Sequence, residues 1–524
     1  MKIKFLGATK TVTGSFFVLE TESRRFAVDC GLFQGMKEIK ERNYQDFVIE
    51  PGSIDFLILT HAHIDHTGLV PKLCKHGFKG PIYCSYPTAE LATVLLPDAG
   101  YIQEMEVERK NRKFLRAGKD VIEPIYTAED ALDCLKQFQP LSMDEVIDLA
   151  PGIEIRLRDA GHILGSCIVE LWVVEDGKKL KLVFTGDLGN DKQPILKDPT
   201  VIENTDYLII ESTYGNRSHK DIGDRAQQLK EVIDFTMQKG GNLIIPAFAV
   251  ERTQDLLYDL NLLYRDGKLD PNIDIYIDSP LAIAATEIFE RNEHFYGDET
   301  RQMVENGNHF LRIPNLKFSR SQQDSMLLNQ TKKNTIIISA SGMCDAGRIK
   351  HHLRHNLWRP ESTILIVGYQ SQGTLGRRLF EGEKIVTIHG EQVAVKADIK
   401  TIDAYSAHAD REGLLEWMQR FVVPPKAIFI VHGEEEAQIE LAGNIKEQLN
   451  VPVFIPAWQD EYTLKPAQEM SKTVYTGADT NKAMIAEQMY LDLRLKINRI
   501  FSENWDKADY DKIIDSMNKI SSAL

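Results

Sequence analysis

Cysteine is scarce in this chain and never paired. The six thiols at positions 30, 74, 84, 134, 167 and 344 form no Cys-x-x-Cys. That argues against a disulfide framework or a thiolate zinc site and suits reduced thiols in a cytoplasmic protein. Long apolar runs are missing too. No stretch approaches the ~20 uninterrupted apolar residues that span a bilayer, and the opening MKIKFLGATKTVTGS lacks the apolar core of a signal peptide. No membrane partner is expected. Positive charge is in deficit, with 62 Lys and Arg against 77 Asp and Glu and a net charge of −15. A protein that coats nucleic acid usually carries the opposite balance. An active site for phosphodiesters is still compatible with it, provided metal ions and a local basic cleft supply the positive field. Internal repeats and low-complexity tracts are absent as well.

What is present fits a multidomain globular chain. A length of 524 residues exceeds one hydrophobic core, so two or three domains are expected. Histidine is sparse, 14 in all, yet three fall in the hexapeptide His61-Ala62-His63-Ile64-Asp65-His66. This hexapeptide follows the apolar run Ile54 to Thr60, which reads as a buried strand ending in a polar loop. The i, i+2 spacing of His61 and His63 lets two imidazoles converge on one ion. Asp65 and His66 point to a second site beside it, because four side chains this close cannot crowd one tetrahedral ion.

Along the chain, KIKFLGA, TGSFFVLET and RRFAVDC read as short strands. Asp29 ends the third of them, as a turn former or as a partner that orients a metal-bound imidazole. Residues 85–119 read as helical and include EMEVERKNRKFLR, a solvated helix face, although its basic end could touch substrate. His162, flanked by glycines in AGHILGS, and Asp187, in FTGDLG, each follow a strand. From Tyr207 the pattern changes to strands alternating with helices, which indicates a largely parallel sheet. The expected division is 1–205 for a first domain, 206–395 for the parallel-sheet domain, 396–465 for a return to the first domain, and 466–524 for a helical extension. That extension reads as a packing or association arm, consistent with a homodimer. Val393 to Thr401 reads as the returning strand. His351 and His352 read as packing or surface residues, and His432, in IVHGE, as a structural hydrogen-bonding residue.

The stretches HAHIDH, Asp29, GHILGS and TGDLG resemble the metal-binding motifs of the metallo-β-lactamase fold. IIESTYG with Glu211, ASGMCDAGRIKHHL, GYQSQGTLGRRL and YSAHAD with His408 resemble its β-CASP branch, whose members process nucleic acids. The resemblance runs from Leu6 to about Pro456. It is closest to prokaryotic ribonucleases related to the pre-mRNA 3′-end processing endonuclease. It implies an α/β fold, a metallo-β-lactamase αβ/βα sandwich with an inserted β-CASP domain, and RNA entering between the two. It also implies two Zn²⁺ per chain, or Mn²⁺. His61, His63 and His162 would hold one ion and Asp65, His66 and His408 the other, with Asp187 bridging. Glu211 matches the acidic first β-CASP motif, and a histidine rather than valine at His408 favours RNA over DNA. At the middle motif this chain has Arg377-Arg378 where the eukaryotic relatives carry histidine soon after Gly-Thr-Leu, and His389 is the next imidazole.

The expected chemistry is hydrolysis of single-stranded RNA by a water activated between two metals. Asp65 or Asp187 would hold the water, and His389, oriented by Glu211, would protonate the leaving oxygen. Ser339, Ser341, Gly342, Arg348 and Arg377 are candidates to contact phosphate. Internal cleavage is the favoured mode. The competing readings are a 5′-to-3′ exoribonuclease, a hydrolase of small esters, thioesters or lactams, and a non-catalytic RNA-binding subunit.

Overall fold

The computed structural model describes the chain except residues 176, 192, 219–224, 466–470, 474–509 and 524. The chain opens with the strands Lys2–Phe5, Phe17–Glu20 and Arg25–Val28 as an antiparallel meander. Phe56–Ile58, Ile82–Ser85 and Phe138–Leu141 extend it in parallel, and Glu461–Thr463 and Ser471–Thr473 close its other edge. The alternating burial of such strands leaves one apolar face to cover. A second, seven-stranded sheet covers it, in the order Val453–Phe454, Ala427–Ile430, Tyr207–Ile210, Lys178–Phe184, Cys167–Glu175, Ile153–Asp159 and Ile147–Ala150. Phe5, Phe17 and Ile58 of the first sheet share one core with Leu157, Leu182, Ile209 and Phe429 of the second.

Helices cover the outer faces. Val70–Lys75, Tyr86–Arg116 and Ala128–Cys134 pack on the first sheet, and Arg411–Gln419 and Glu435–Leu449 on the second. The result is a four-layer sandwich. All six cysteines are buried and free.

The third sheet has six strands: Leu316–Phe318, Asp274–Ile277, Thr335–Ser339, Asn242–Pro246, Thr363–Ile366 and Asp398–Thr401. Each neighbouring pair runs parallel. Two sequence expectations move here. Tyr207–Ile210 pairs with Lys178–Phe184 and Ala427–Ile430, so it belongs to the sandwich rather than to the parallel-sheet domain. The expected returning strand divides into Glu391–Ala394, half of a small hairpin with Ile385–Ile388, and Asp398–Thr401, the edge of the third sheet. Alternation and β-branching mark a strand but do not name its neighbour.

The third sheet is joined to the sandwich by a continuous core. Ile163, Leu164, Ala62 and Leu95 cluster with Leu243, Ile245, Val250 and Leu256. The loops carrying His61 and His162 are therefore held from both sides. Of the expected extension, Tyr510–Ala523 is a helix, and most of the remainder lies outside the described residues. No helix among the described residues is long and apolar enough to cross a membrane.

Candidate metal centre and active site

The loop after Phe56–Ile58 is fastened before any ligand is considered. Asp29 accepts from the Thr60 amide at 2.8 Å and from its hydroxyl at 2.9 Å. The amides of Ser15 and Cys30 donate to the carbonyls of Asp65 and His66 at 2.9 and 2.8 Å. This backbone approach requires Gly31, where a Cβ would lie 1.6 Å from the Asp65 carbonyl oxygen. Gly189 does the same for the other side, its Cβ position falling 1.9 Å from the Gly161 carbonyl oxygen beside His162.

His61, His63, His162 and Asp187 form the first cluster, with ligand atoms all within 4.8 Å of one another. His63 Nδ1 lies 3.1 Å from His61 Nε2 and 3.2 Å from His162 Nε2. Asp187 Oδ2 is 3.5 Å from His61 Nε2 and 3.6 Å from His162 Nε2. Burial drives the His61 and His162 imidazoles well below their ordinary value and takes His63 down to about 4. These rings are held neutral, with ring nitrogens aimed at one another. Hydrogen bonds cannot satisfy three converging nitrogens and a carboxylate together, whereas one divalent cation can.

Asp65, His66 and His432 form the second cluster. His432 Nε2 is 3.3 Å from His66 Nε2 and 3.5 Å from Asp65 Oδ2. Asp187 reaches this group as well, 3.4 Å from His66 Nε2 and 3.2 Å from His432 Nδ1. Asp187 thus touches both clusters, the disposition of a bridging carboxylate. Asp29 sits behind His66, its Oδ2 2.8 Å from Nδ1, which turns Nε2 toward the cluster. Of the two readings of Asp29, the orienting one is therefore the geometry found. Burial opposes the charged form of His66, but Asp187 and Asp29 raise it well above its ordinary value.

Two histidines sit differently from the expected ligand set. His432, read as structural, groups with Asp65 and His66, while His408, expected there, groups with Asp187 and Glu211. Parallel pairing explains the difference. Ile210 is in register with Ile430, so Glu211 to Thr213 leaves the second sheet beside Val431 and His432. The Thr213 hydroxyl then meets His432 Nδ1 at 3.1 Å.

His408 is held by a backbone bridge to Gly189, and its Nδ1 is 3.1 Å from Glu211 Oε1. Glu211 also accepts from the Leu188 amide at 2.7 Å and the Thr213 amide at 3.1 Å. Asp187, Glu211 and His408 also lie close enough to form a third metal-type group, although three donors already occupy the Glu211 carboxylate. Burial opposes charge on His408, yet Glu211 raises it to about 9.

His63, Asp65, His162, Asp187, His408 and His432 line one cavity of about 2050 Å³, which extends over the third sheet. Ser341 and Arg348 line it too. Arg348 donates to Asp278 Oδ1 at 2.7 Å and to the Ser319 carbonyl at 2.9 Å. The other three phosphate candidates do not line it. The Ser339 hydroxyl donates to the Asp278 carbonyl, Gly342 abuts Phe248, and Arg377 pairs with Glu381 at 2.7 Å.

His389 does not join the metal clusters. It tips the Ile385–Ile388/Glu391–Ala394 hairpin, with its ring 4.7 Å from that of His351, and Glu211 faces His408 instead. The expectation that Glu211 orients His389 is corrected accordingly. His351 lines the cavity, while His352 is buried with Nε2 2.5 Å from Asp278.

Comparison with known proteins matches three family models in chain order. They are the metallo-beta-lactamase superfamily over residues 10–231, the Beta-Casp domain over 253–379, and the Zn-dependent metallo-hydrolase RNA specificity domain over 392–456. Ribonuclease TTHA0252 of Thermus thermophilus is 34% identical over 441 residues, covering 84% of this chain and 95% of the relative. The RNase J-like protein of Methanocaldococcus jannaschii is 32% identical over 459 residues, 87% of this chain and 97% of the relative. Transcription termination factor FttA of Methanosarcina mazei is 32% identical over 462 residues, covering 86% and 70%.

Proposed function

Since the chain belongs to the β-CASP metallo-β-lactamase family and is a metal-dependent hydrolase, we propose that it cleaves single-stranded RNA internally, using two zinc ions. The observation that carries this reading is the pair of imidazole–carboxylate clusters sharing Asp187 on the wall of one large cavity. His61, His63 and His162 would hold one ion, Asp65, His66 and His432 the other, and Asp187 both. Mn²⁺ fits the oxygen-rich second group as well. Such ions, when bound, supply Lewis-acid activation of water and neutralise the non-bridging oxygens of a phosphodiester.

The chain's own groups do the remaining work. Asp65 and Asp187 orient the attacking water by accepting its hydrogen bonds. Glu211 fixes His408 through Nδ1, and His408 delivers a proton to the leaving ribose oxygen. This reading assigns the proton donor to His408 instead of His389. The geometric support is the Glu211–His408 bond beside His162, whose ring lies 4.5 Å away. A volume of about 2050 Å³ also exceeds the ~300–1,000 Å³ typical of small-ligand sites. A polymer suits it better than a small ester, thioester or lactam.

The test is cleavage of 5′-labelled single-stranded RNA and its DNA counterpart by wild type and Asp65→Ala, with and without chelator. Internal RNA fragments that vanish with chelator and with the variant are expected. Labelled mononucleotides would replace internal cleavage by 5′-to-3′ trimming. A zinc-loaded protein that leaves RNA intact would overturn the ribonuclease reading.

A further inference from the structure

The acidic chain concentrates positive charge at one place on the cavity rim. Along the helix Tyr86–Arg116 the charges segregate. Carboxylates occupy 90, 98, 104, 106 and 108, and five cations follow at 109, 110, 112, 113 and 116. Lys110 lines the cavity, as do His351 and Arg354 from the helix Ile349–Asn356. Among the described residues no carboxylate pairs with Arg109, Lys110 or Lys350, though Lys350 donates to the Asp345 carbonyl at 3.0 Å; Arg354 lies 4.0 Å from Glu391 and 3.3 Å from His355 Nε2.

His389 links the two helices. The register Ile388↔Glu391 leaves a two-residue turn, His389-Gly390, with φ of +53° and +88°. Asn-Gly or Gly-Gly is the usual choice for such a turn, and a histidine with positive φ carries backbone strain. The His389 ring lies 4.7 Å from that of His351, tilted by 31°, and it is within electrostatic reach of Lys350, Arg109 and Arg354. Burial and then these positive neighbours take it down to about 4. The same positive surroundings lower His351, where burial and Arg354 outweigh Asp278. Four cations gathered at a cavity mouth beside two imidazoles held neutral, which can still donate hydrogen bonds, mark a surface built for an anion.

We propose that Arg109, Lys110, Lys350 and Arg354, with His351 and His389, form a rim site that binds the phosphate backbone of single-stranded RNA away from the bond being cut. The proposal rests on the ribonuclease reading. It sets the strand's path: Asp98 and Glu106 on the earlier turns of the long helix repel it, and the basic end attracts it. It also gives His389 a binding task in place of proton donation.

The experiment measures equilibrium binding of a fluorescein-labelled, cleavage-resistant 2′-O-methyl phosphorothioate RNA of about 20 nucleotides to the zinc-loaded protein. The variants are the triple Arg109→Gln/Lys350→Gln/Arg354→Gln and the charge-retaining Arg109→Lys/Lys350→Arg/Arg354→Lys. Three lost phosphate contacts remove about 2 units from the slope of log K against log salt. A rise from 50 to 200 mM salt should therefore weaken wild type about 20-fold more than the neutral triple variant. The charge-retaining variant should bind as wild type does. Equal salt slopes in wild type and the neutral variant would overturn the rim, as would failure of the charge-retaining variant to restore binding. Binding that follows the expected pattern without RNA cleavage would leave the rim standing and sink the ribonuclease reading.

Discussion

Replacing His408 by alanine separates proton donation from metal binding. His408 Nδ1 is held 3.1 Å from a carboxylate that two backbone amides also fix, so its ring is oriented before substrate arrives. A positioned general acid is worth about 10²- to 10⁴-fold, or ~3–5 kcal/mol of barrier. The loss should appear only where the leaving group needs a proton. An RNA link expels a ribose alkoxide and should lose the full factor in kcat. Uridine p-nitrophenyl phosphate expels a phenolate that departs unaided and should lose less than about tenfold.

Glu211→Gln should follow the same pattern at a smaller amplitude. Either amide orientation sets an NH₂ group against at least one of the three donors now served, a mismatch of about 1–3 kcal/mol. Steady-state kinetics on both substrates with zinc-loaded protein is the assay. Equal losses on both substrates would refute the assignment, because that pattern belongs to a damaged metal site.

Two further outcomes follow from groups around the centre. Asp29→Asn should weaken zinc binding about 10- to 100-fold while the protein stays folded, since it removes the carboxylate that turns His66; chelator competition measures it, and unchanged affinity would return Asp29 to a turn former. Asp278 is buried, which raises it, but bonds from His352 and Ser325 hold it at about 2, below its ordinary 3.8. A carboxylate lowered on folding stabilises the protein above pH 3.8 and loses that contribution as pH falls toward 2. Wild type should therefore be more stable than Asp278→Asn at pH 6, and the gap should narrow by pH 3. A denaturant series at both pH values checks this, and a gap independent of pH would contradict it.

The parts of the centre legible in the sequence are those whose geometry is local. His61 and His63 lie on the loop after Phe56–Ile58, and Asp65 and His66 on the one-turn helix Ile64–Thr67 that follows, so their convergence depends only on the strand before them and on the tie to Asp29. His162 and Asp187 were visible as polar residues at strand tips. His432 has the same signature, lying just past the apolar strand Ala427–Ile430, yet its role depends on which strand lies beside it. The register with Tyr207–Ile210 supplies that neighbour, and no local pattern encodes a pairing across 220 residues of sequence.

His408 falls one group away from its expected place because three elements meet there: the turn after Phe184, the tip of Ile210, and the segment before Arg411–Gln419. His389 is the next imidazole along the chain, but a hairpin of its own carries it away from the clusters. The edge strand Asp398–Thr401 departs from expectation for the same reason as Tyr207–Ile210. Strand character is local, and sheet membership is not.

The most direct test is the zinc content of wild type, His432→Ala and His408→Ala, measured by elemental analysis on protein purified in excess zinc and then desalted. RNA cleavage is assayed on the same samples. Two ions in wild type, a clear loss in His432→Ala, and full content with little cleavage in His408→Ala are predicted. Full zinc in His432→Ala together with loss of an ion in His408→Ala would contradict the account, and would put the sequence-based ligand set back in place.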